Sequence, residues 1–206
     1  MTMPEKLEIL ESLAQGLHDV MRYANQHASR HQTTMQHLDG MFLLMNEHFE
    51  TFPEANLDKD YIVSLILVHD FGELGLQNDF TAFDQSCNTE VARLRQEYED
   101  KWFSKIGKIY PWILPIYKDF EEVITAEAAF VNYLDHLECS RHQISAGLGN
   151  VTFAQAEFSK SRQEANLQRL RKWVQRFPQL AVFIPFAEGE LEYFLDKFRE
   201  AWEHQS

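Results

Sequence analysis

The chain has 206 residues, 45% of them apolar and 13% aromatic, which is enough to bury a full core, so residues 1–206 are read as a single domain. Its 19 lysines and arginines face 32 aspartates and glutamates, a formal charge of -13 that argues against DNA, RNA or an anionic membrane as partner. A small phosphorylated ligand is still compatible with that charge, because a bound cation and a few local arginines reverse the potential inside one cleft.

Helical periodicity dominates from the start. Leu7, Leu10, Leu13, Leu17, Val20 and Met21 recur mostly at three- and four-residue intervals, as do Met41, Leu44, Met45 and Phe49. Further helices are expected near residues 58–73, 87–106, 118–147, 153–177 and 187–204, with no strand alternation or hairpin turn between them. Glycine and proline mark the breaks, at Pro53, Gly72 to Asn78, Tyr110 to Pro115, Gly147 to Asn150 and Pro178 to Pro185. The fold class is therefore all-α. The basic run in FSKSRQEANLQRLRKW reads as a solvated helix face and only weakly as an anion site. The start of the chain, MTMPEKLEILESLAQGL, has no basic-then-apolar leader pattern, and the longest apolar run, Tyr61 to Val68, falls short of the ~20 residues a membrane helix needs. Cys87 and Cys139 have no paired spacing, and a cytoplasmic setting is expected.

Three places put polar groups where the pattern demands apolar ones. The run from Tyr61 to Val68 ends directly in His69-Asp70, with Glu73 following; on a continuing helix His69 shares a face with Ile62, Leu65 and Glu73. Asp135 falls in the arc of Ala128, Val131, Leu134 and Cys139, and His37 shares a face with Met41 and Leu44. Each alone is more often a satisfied core residue than a ligand. Together, two imidazoles and two carboxylates pointing into one interior suit a divalent cation, since a buried charge without a partner is expensive.

These residues carry a resemblance. Arg30-His31-Gln32-Thr33-Thr34-Met35-Gln36-His37, then LILVHDFGEL, then TAEAAFVNYLDHLE resemble, in order and spacing, the three signature blocks of the HD-domain phosphohydrolases, over roughly residues 20–145. The similarity is greatest to the 5'-deoxynucleotidase-like branch, which carries an HDxxE sequence, here His69 to Glu73, and a helix like Glu127 to Asp135. The resemblance implies a compact HD-domain helical bundle with extra C-terminal helices at about 150–206. It also implies one divalent metal ion (Mn, Co, Mg or Zn) held by His37, His69, Asp70 and Asp135, with Glu73 orienting or deprotonating the attacking water. The implied substrate is a small phosphate ester, a nucleotide, and a homodimer is implied as well. The Phe- and Leu-rich stretch at 183–198 serves as a dimer face or packs internally.

Two departures from the branch stand out. Its Gly-Asp pair is replaced by Gln77-Asn78, with Asp79 next as the substitute carboxylate; its Arg-Trp pair is not found ahead of the first block, where the chain reads Ala24-Asn25-Gln26-His27. Arg30 is the candidate donor to a substrate phosphate, weighed equally against a surface ion pair. His27 and His31 are spaced i, i+4 but lie in a polar stretch and are read as solvent-facing; His18-Asp19 is read as coincidence, and His136 and His142 as surface residues. Tyr110, Trp112 and Tyr117 wall a base pocket or, more commonly for such residues, simply pack. Two rival functions are compatible with the same residues: a degenerate HD domain that binds a nucleotide or a protein partner without turnover, and a hydrolase of a nucleotide diphosphate or alarmone.

Overall fold

The computed structural model describes residues 2–22, 32–75 and 88–202. Eight α-helices run through them: α1 (Met3–Asp19), α2 (Thr34–Thr51), α3 (Lys59–His69), α4 (Thr89–Ile109), α5 (Ile113–Glu122), α6 (Ala126–Ala146), α7 (Phe153–Val174) and α8 (Ile184–Trp202). The fold is an all-α bundle. Side chains written into the sequence start most of these helices: Thr2, Thr33 and Thr152 each form a reciprocal capping box with Glu5, Gln36 and Gln155, while Asp58, Asn88 and Thr125 accept from backbone N–H groups of the first turn. No described helix is long and apolar enough to cross a membrane.

Helix α6 is the central post. Ala128, Ala129, Phe130, Val131, Tyr133, Leu134 and Leu137 are all buried, so it is enclosed on several sides, and α2, α3, α5 and α7 pack around it. Ile62, Leu65, Ile66 and Val68 close the core from α3, and Leu38, Met41 and Met45 from α2. On the far side α8 packs on α7, and Phe183, Phe194 and Phe198 turn inward, so the Phe-rich stretch at 183–198 is largely spent on internal packing. Helix α1 contributes Leu13 and Leu17 to the core but leaves Leu7 and Leu10 at the surface.

The structure departs from the periodicity in three places. The stretch expected as one helix over 118–147 is two, α5 and α6, because Val123 adopts φ 50°. A β-branched residue in that left-handed region costs about 1–2 kcal/mol. Nearby hydrogen bonds hold the turn: Asp119 Oδ1 accepts from the N–H groups of Ile124 and Thr125, and Arg176 donates to the carbonyls of Val123 and Ile124. With no glycine or proline at the turn, composition gave no sign of it. The helix expected to 73 stops at His69; Asp70 turns at φ -97°, ψ 8°, and residues 71–75 continue as a 3-10 turn. Finally, β1 (Met21–Arg22) and β2 (Gln32–Thr33) form a two-residue antiparallel ribbon where no strand was expected, extended by the Thr34 N–H donating to the Val20 carbonyl.

Candidate metal centre

The ends of α3 and β1 and the inner faces of α2 and α6 converge on one buried cluster. His37, one turn into α2, and His69, the last residue of α3, approach with ring centroids 5.6 Å apart. His37 Nε2 lies 3.1 Å from Asp135 Oδ1 and 3.6 Å from Asp70 Oδ2, while His69 Nε2 lies 3.4 Å from the same Asp70 oxygen. One donor atom from each of His37, His69 and Asp70 sits within 4.8 Å of the others, and so does one from each of His37, Asp135 and Cys139. The four residues singled out as ligands thus fall in two groupings that meet at His37, the second of which also takes in Cys139.

The hydrogen bonds around the imidazoles decide which nitrogen faces the cluster. His69 Nδ1 donates to the Ile66 carbonyl at 2.7 Å, and His37 Nδ1 donates to Glu138 Oε2. Both Nε2 atoms are buried and have no hydrogen-bond partner. A buried polar nitrogen without a partner costs free energy, and two of them aimed at two carboxylates form the donor set that a divalent cation of hard-to-borderline character completes. The residues present therefore fit the group.

Electrostatics point the same way. Burial and the Arg22 charge lower the pKa of His37, but the carboxylates of Asp135 and Glu138 outweigh them and bring it up to about 9. Burial opposes ionisation of Asp70, yet His69, Arg22 and His37 hold its carboxyl below the usual range; Asp135, also opposed by burial, is held well below by His37 and its neighbouring imidazoles. The pocket is built for positive charge.

Several residues that shape the site escaped the sequence reading. Arg22 NH1 donates to Asp70 Oδ2 at 2.5 Å and reaches Glu73 Oε1 at 3.4 Å. It is followed in sequence by Tyr23, so an arginine-aromatic pair stands just upstream of Ala24-Asn25-Gln26-His27. Glu138, one turn beyond Asp135, is buried between His37 and Gln32, whose Nε2 donates to Oε1 at 2.6 Å. Gly40 makes room for it, since a Cβ there would lie 2.7 Å from the Glu138 carboxylate. Glu73 is buried on the 3-10 turn, with Oε2 accepting from Thr34 Oγ1 at 2.7 Å. Gly72 beside it lets α4 close in, for a Cβ would meet Glu99 Cγ at 2.7 Å.

Other expectations fall differently. Arg30, Asp79, His27, His31 and Asn78 lie outside the described residues. His136 is buried, not at the surface: α7 packs over it and Arg162 donates to its Nδ1 at 2.8 Å. His142 is partly buried, and His18 is exposed. Tyr117 stacks on Phe103 at 3.5 Å and the Tyr110 hydroxyl donates to the Lys6 carbonyl, so these two pack α4, α5 and α1 together, whereas Trp112 is 46% exposed.

Comparison with known proteins adds one result. No curated protein and no solved structure matches the chain. A family model described as HD domain matches residues 14–175, a span that takes in all of the described cluster and reaches past α6 through α7. With a match over most of its length, the chain belongs to the HD-domain family, whose members are in general metal-dependent phosphohydrolases that bind divalent ions.

Proposed function

We propose that this protein is a phosphomonoesterase acting on a nucleotide, similar in activity to the 5'-deoxynucleotidases, with His37, His69, Asp70 and Asp135 holding one divalent ion. The observation that carries the reading is the convergence of two buried Nε2 atoms, neither of them in a hydrogen bond, on the carboxylates of Asp70 and Asp135. When bound, such an ion supplies Lewis acidity toward water and a phosphate oxygen. The remaining chemistry falls to the chain. Glu73, oriented by Thr34, accepts a proton from the attacking water. Water oxygen then forms the new P–O bond as the ester P–O bond breaks, and the departing alcohol takes up a proton. Arg22, already beside Asp70 and Glu73, is placed to donate its planar fork to the phosphate oxygens and offset their charge. Arg30 and Asp79 complete the proposal as further phosphate and carboxylate groups.

The test is phosphate release from nucleoside 5'-monophosphates and generic phosphate esters, with Mn, Co, Mg or Zn supplied to metal-stripped protein. Metal-dependent release that falls about a hundredfold or more in Asp70→Ala is the expected result. A folded protein that binds the ion yet releases no phosphate from any ester overturns the reading in favour of a binding domain without turnover.

A further inference from the structure

Helix α7 carries a basic run that the pattern assigned to solvent, and part of it is indeed there: Arg171 is exposed and pairs with Glu188. Arg162 and Arg169, two turns apart on one face, instead turn toward α6 beside the metal centre. Arg162 NH2 donates to His136 Nδ1 at 2.8 Å, and that nitrogen lies 3.7 Å from Asp135 Oδ2. Arginine only donates, so His136 receives this bond as a neutral ring. Arg169 is partly buried, its Nε fully so and without a hydrogen-bond partner. Arg93, Arg95, Arg141, Arg171 and Arg199 each pair with a carboxylate, whereas among the described residues Arg162 and Arg169 form no ion pair. In a chain with 32 acidic residues, two neighbouring arginines left without a carboxylate are an unspent charge. Burial and, after it, the charge of Arg162 lower the proton affinity of Arg169, against the pull of Asp135.

Of the four residues of the centre, the one nearest this pair is the most exposed. Asp135 keeps 21% of its side chain exposed, against 9% for Asp70, 2% for His69 and 0% for His37. A ligand that reaches the ion past Asp135 therefore passes the wall that bears Arg162 and Arg169. The geometry points to a second anion subsite, built by Arg162 and Arg169 on the Asp135 side of the metal centre, that takes a phosphoryl group of the substrate other than the one hydrolysed. The substrate class is then a phosphate ester with two phosphoryl groups. This rests on the phosphomonoesterase reading above and narrows it.

The experiment compares kcat/KM for a nucleoside 3',5'-bisphosphate with that for the matching 5'-monophosphate, in wild type, Arg162→Gln, Arg169→Gln and, as a control on the same helix, Arg171→Gln. Wild type favours the bisphosphate, and Arg169→Gln lowers that ratio about ten- to hundredfold, the worth of one charge-assisted hydrogen bond. The control keeps the wild-type ratio. No preference in wild type, or a preference that survives in both Arg162→Gln and Arg169→Gln, overturns the subsite. If Arg162→Gln fails to fold for want of its bond to His136, Arg169→Gln carries the test, since Arg169 makes no hydrogen bond that folding would miss. If the protein hydrolyses nothing, calorimetry of metal-loaded protein separates the two ideas. Tighter binding of pyrophosphate than of inorganic phosphate, lost in Arg169→Gln, upholds the subsite while the hydrolase reading fails; equal binding in both proteins discards the subsite.

Discussion

Helix α2 carries two buried histidines on one face, His37 near its start and His48 near its end, about 16 Å apart along the axis. Burial works against the charged form of both. His37 sits among Asp70, Asp135 and Glu138 and is raised to about 9. His48 sits in an aromatic cage, with Phe186, Phe183, Phe130 and Tyr133 rings at 4.6, 5.5, 5.6 and 5.7 Å, and burial lowers its pKa despite the Leu44 carbonyl and Glu47. In metal-free protein the same residue on the same helix face is thus favoured as a cation at one end and as a neutral ring at the other. What differs is the partner of Nδ1 and the groups facing Nε2: a carboxylate and more carboxylates for His37, a backbone carbonyl and phenyl rings for His48.

The largest effect should come from making the two ends alike. Glu138→Gln leaves His37 an acceptor but removes the charge that raises the basicity of Nε2, and metal affinity should fall about ten- to hundredfold while the fold persists. Titration of metal-stripped variant and wild type by calorimetry reads it. Affinity unchanged in the variant would show that the Glu138 contact is merely structural.

A second test uses pH. In metal-free protein the folded pKa of His37, about 9, lies above its unfolded value of 6.5. The stabilisation it contributes is therefore fully present below 6.5 and is lost as pH rises through about 9. Proton and metal also compete for Nε2. Apparent metal affinity should rise by up to about tenfold per unit between pH 7 and 9, while the thermal midpoint of the stripped protein declines over the same interval. Flat profiles in both measurements would mean that His37 enters the site already neutral.

The sequence made these two ends unequally legible. His37, His69, Asp70 and Asp135 stood out because each interrupts an apolar arc, and such an interruption is visible in a single chain. Glu138 gives the same signal, three residues from Asp135 on α6 and at the very end of the block that carries the resemblance, but the ligand pattern the resemblance implies stops at Asp135. Arg22 gave none. It reaches the site only because residues 21–22 pair with 32–33, and a two-residue ribbon has no periodicity to read. The break at Val123 was hidden for a different reason: Asp119, Thr125 and Arg176 hold that turn through tertiary hydrogen bonds rather than through glycine or proline. The division of α7 into a solvated row and an inward row was likewise invisible, because the helix is basic on both.

The smallest effect belongs to the aromatic end, and its sign is opposite. With a folded pKa below the unfolded 6.5, His48 leaves the folded state binding fewer protons than the unfolded one. Stability due to it is present above 6.5 and is lost as pH falls toward the folded value. His136, lowered to about 3 by burial and by Arg162 and Arg169 against the pull of Asp135, adds to the same acid slope. His48→Phe keeps the ring among Phe52, Phe130, Phe183 and Phe186 and gives up only the bond to the Leu44 carbonyl, so it removes the titration while keeping most of the packing. The drop in thermal midpoint between pH 7 and pH 5 should shrink by a few degrees in the variant, whereas the decline between pH 7 and 9 in stripped protein should not change. An acid slope identical to that of wild type would place the proton uptake elsewhere, with His136 the first residue to substitute next.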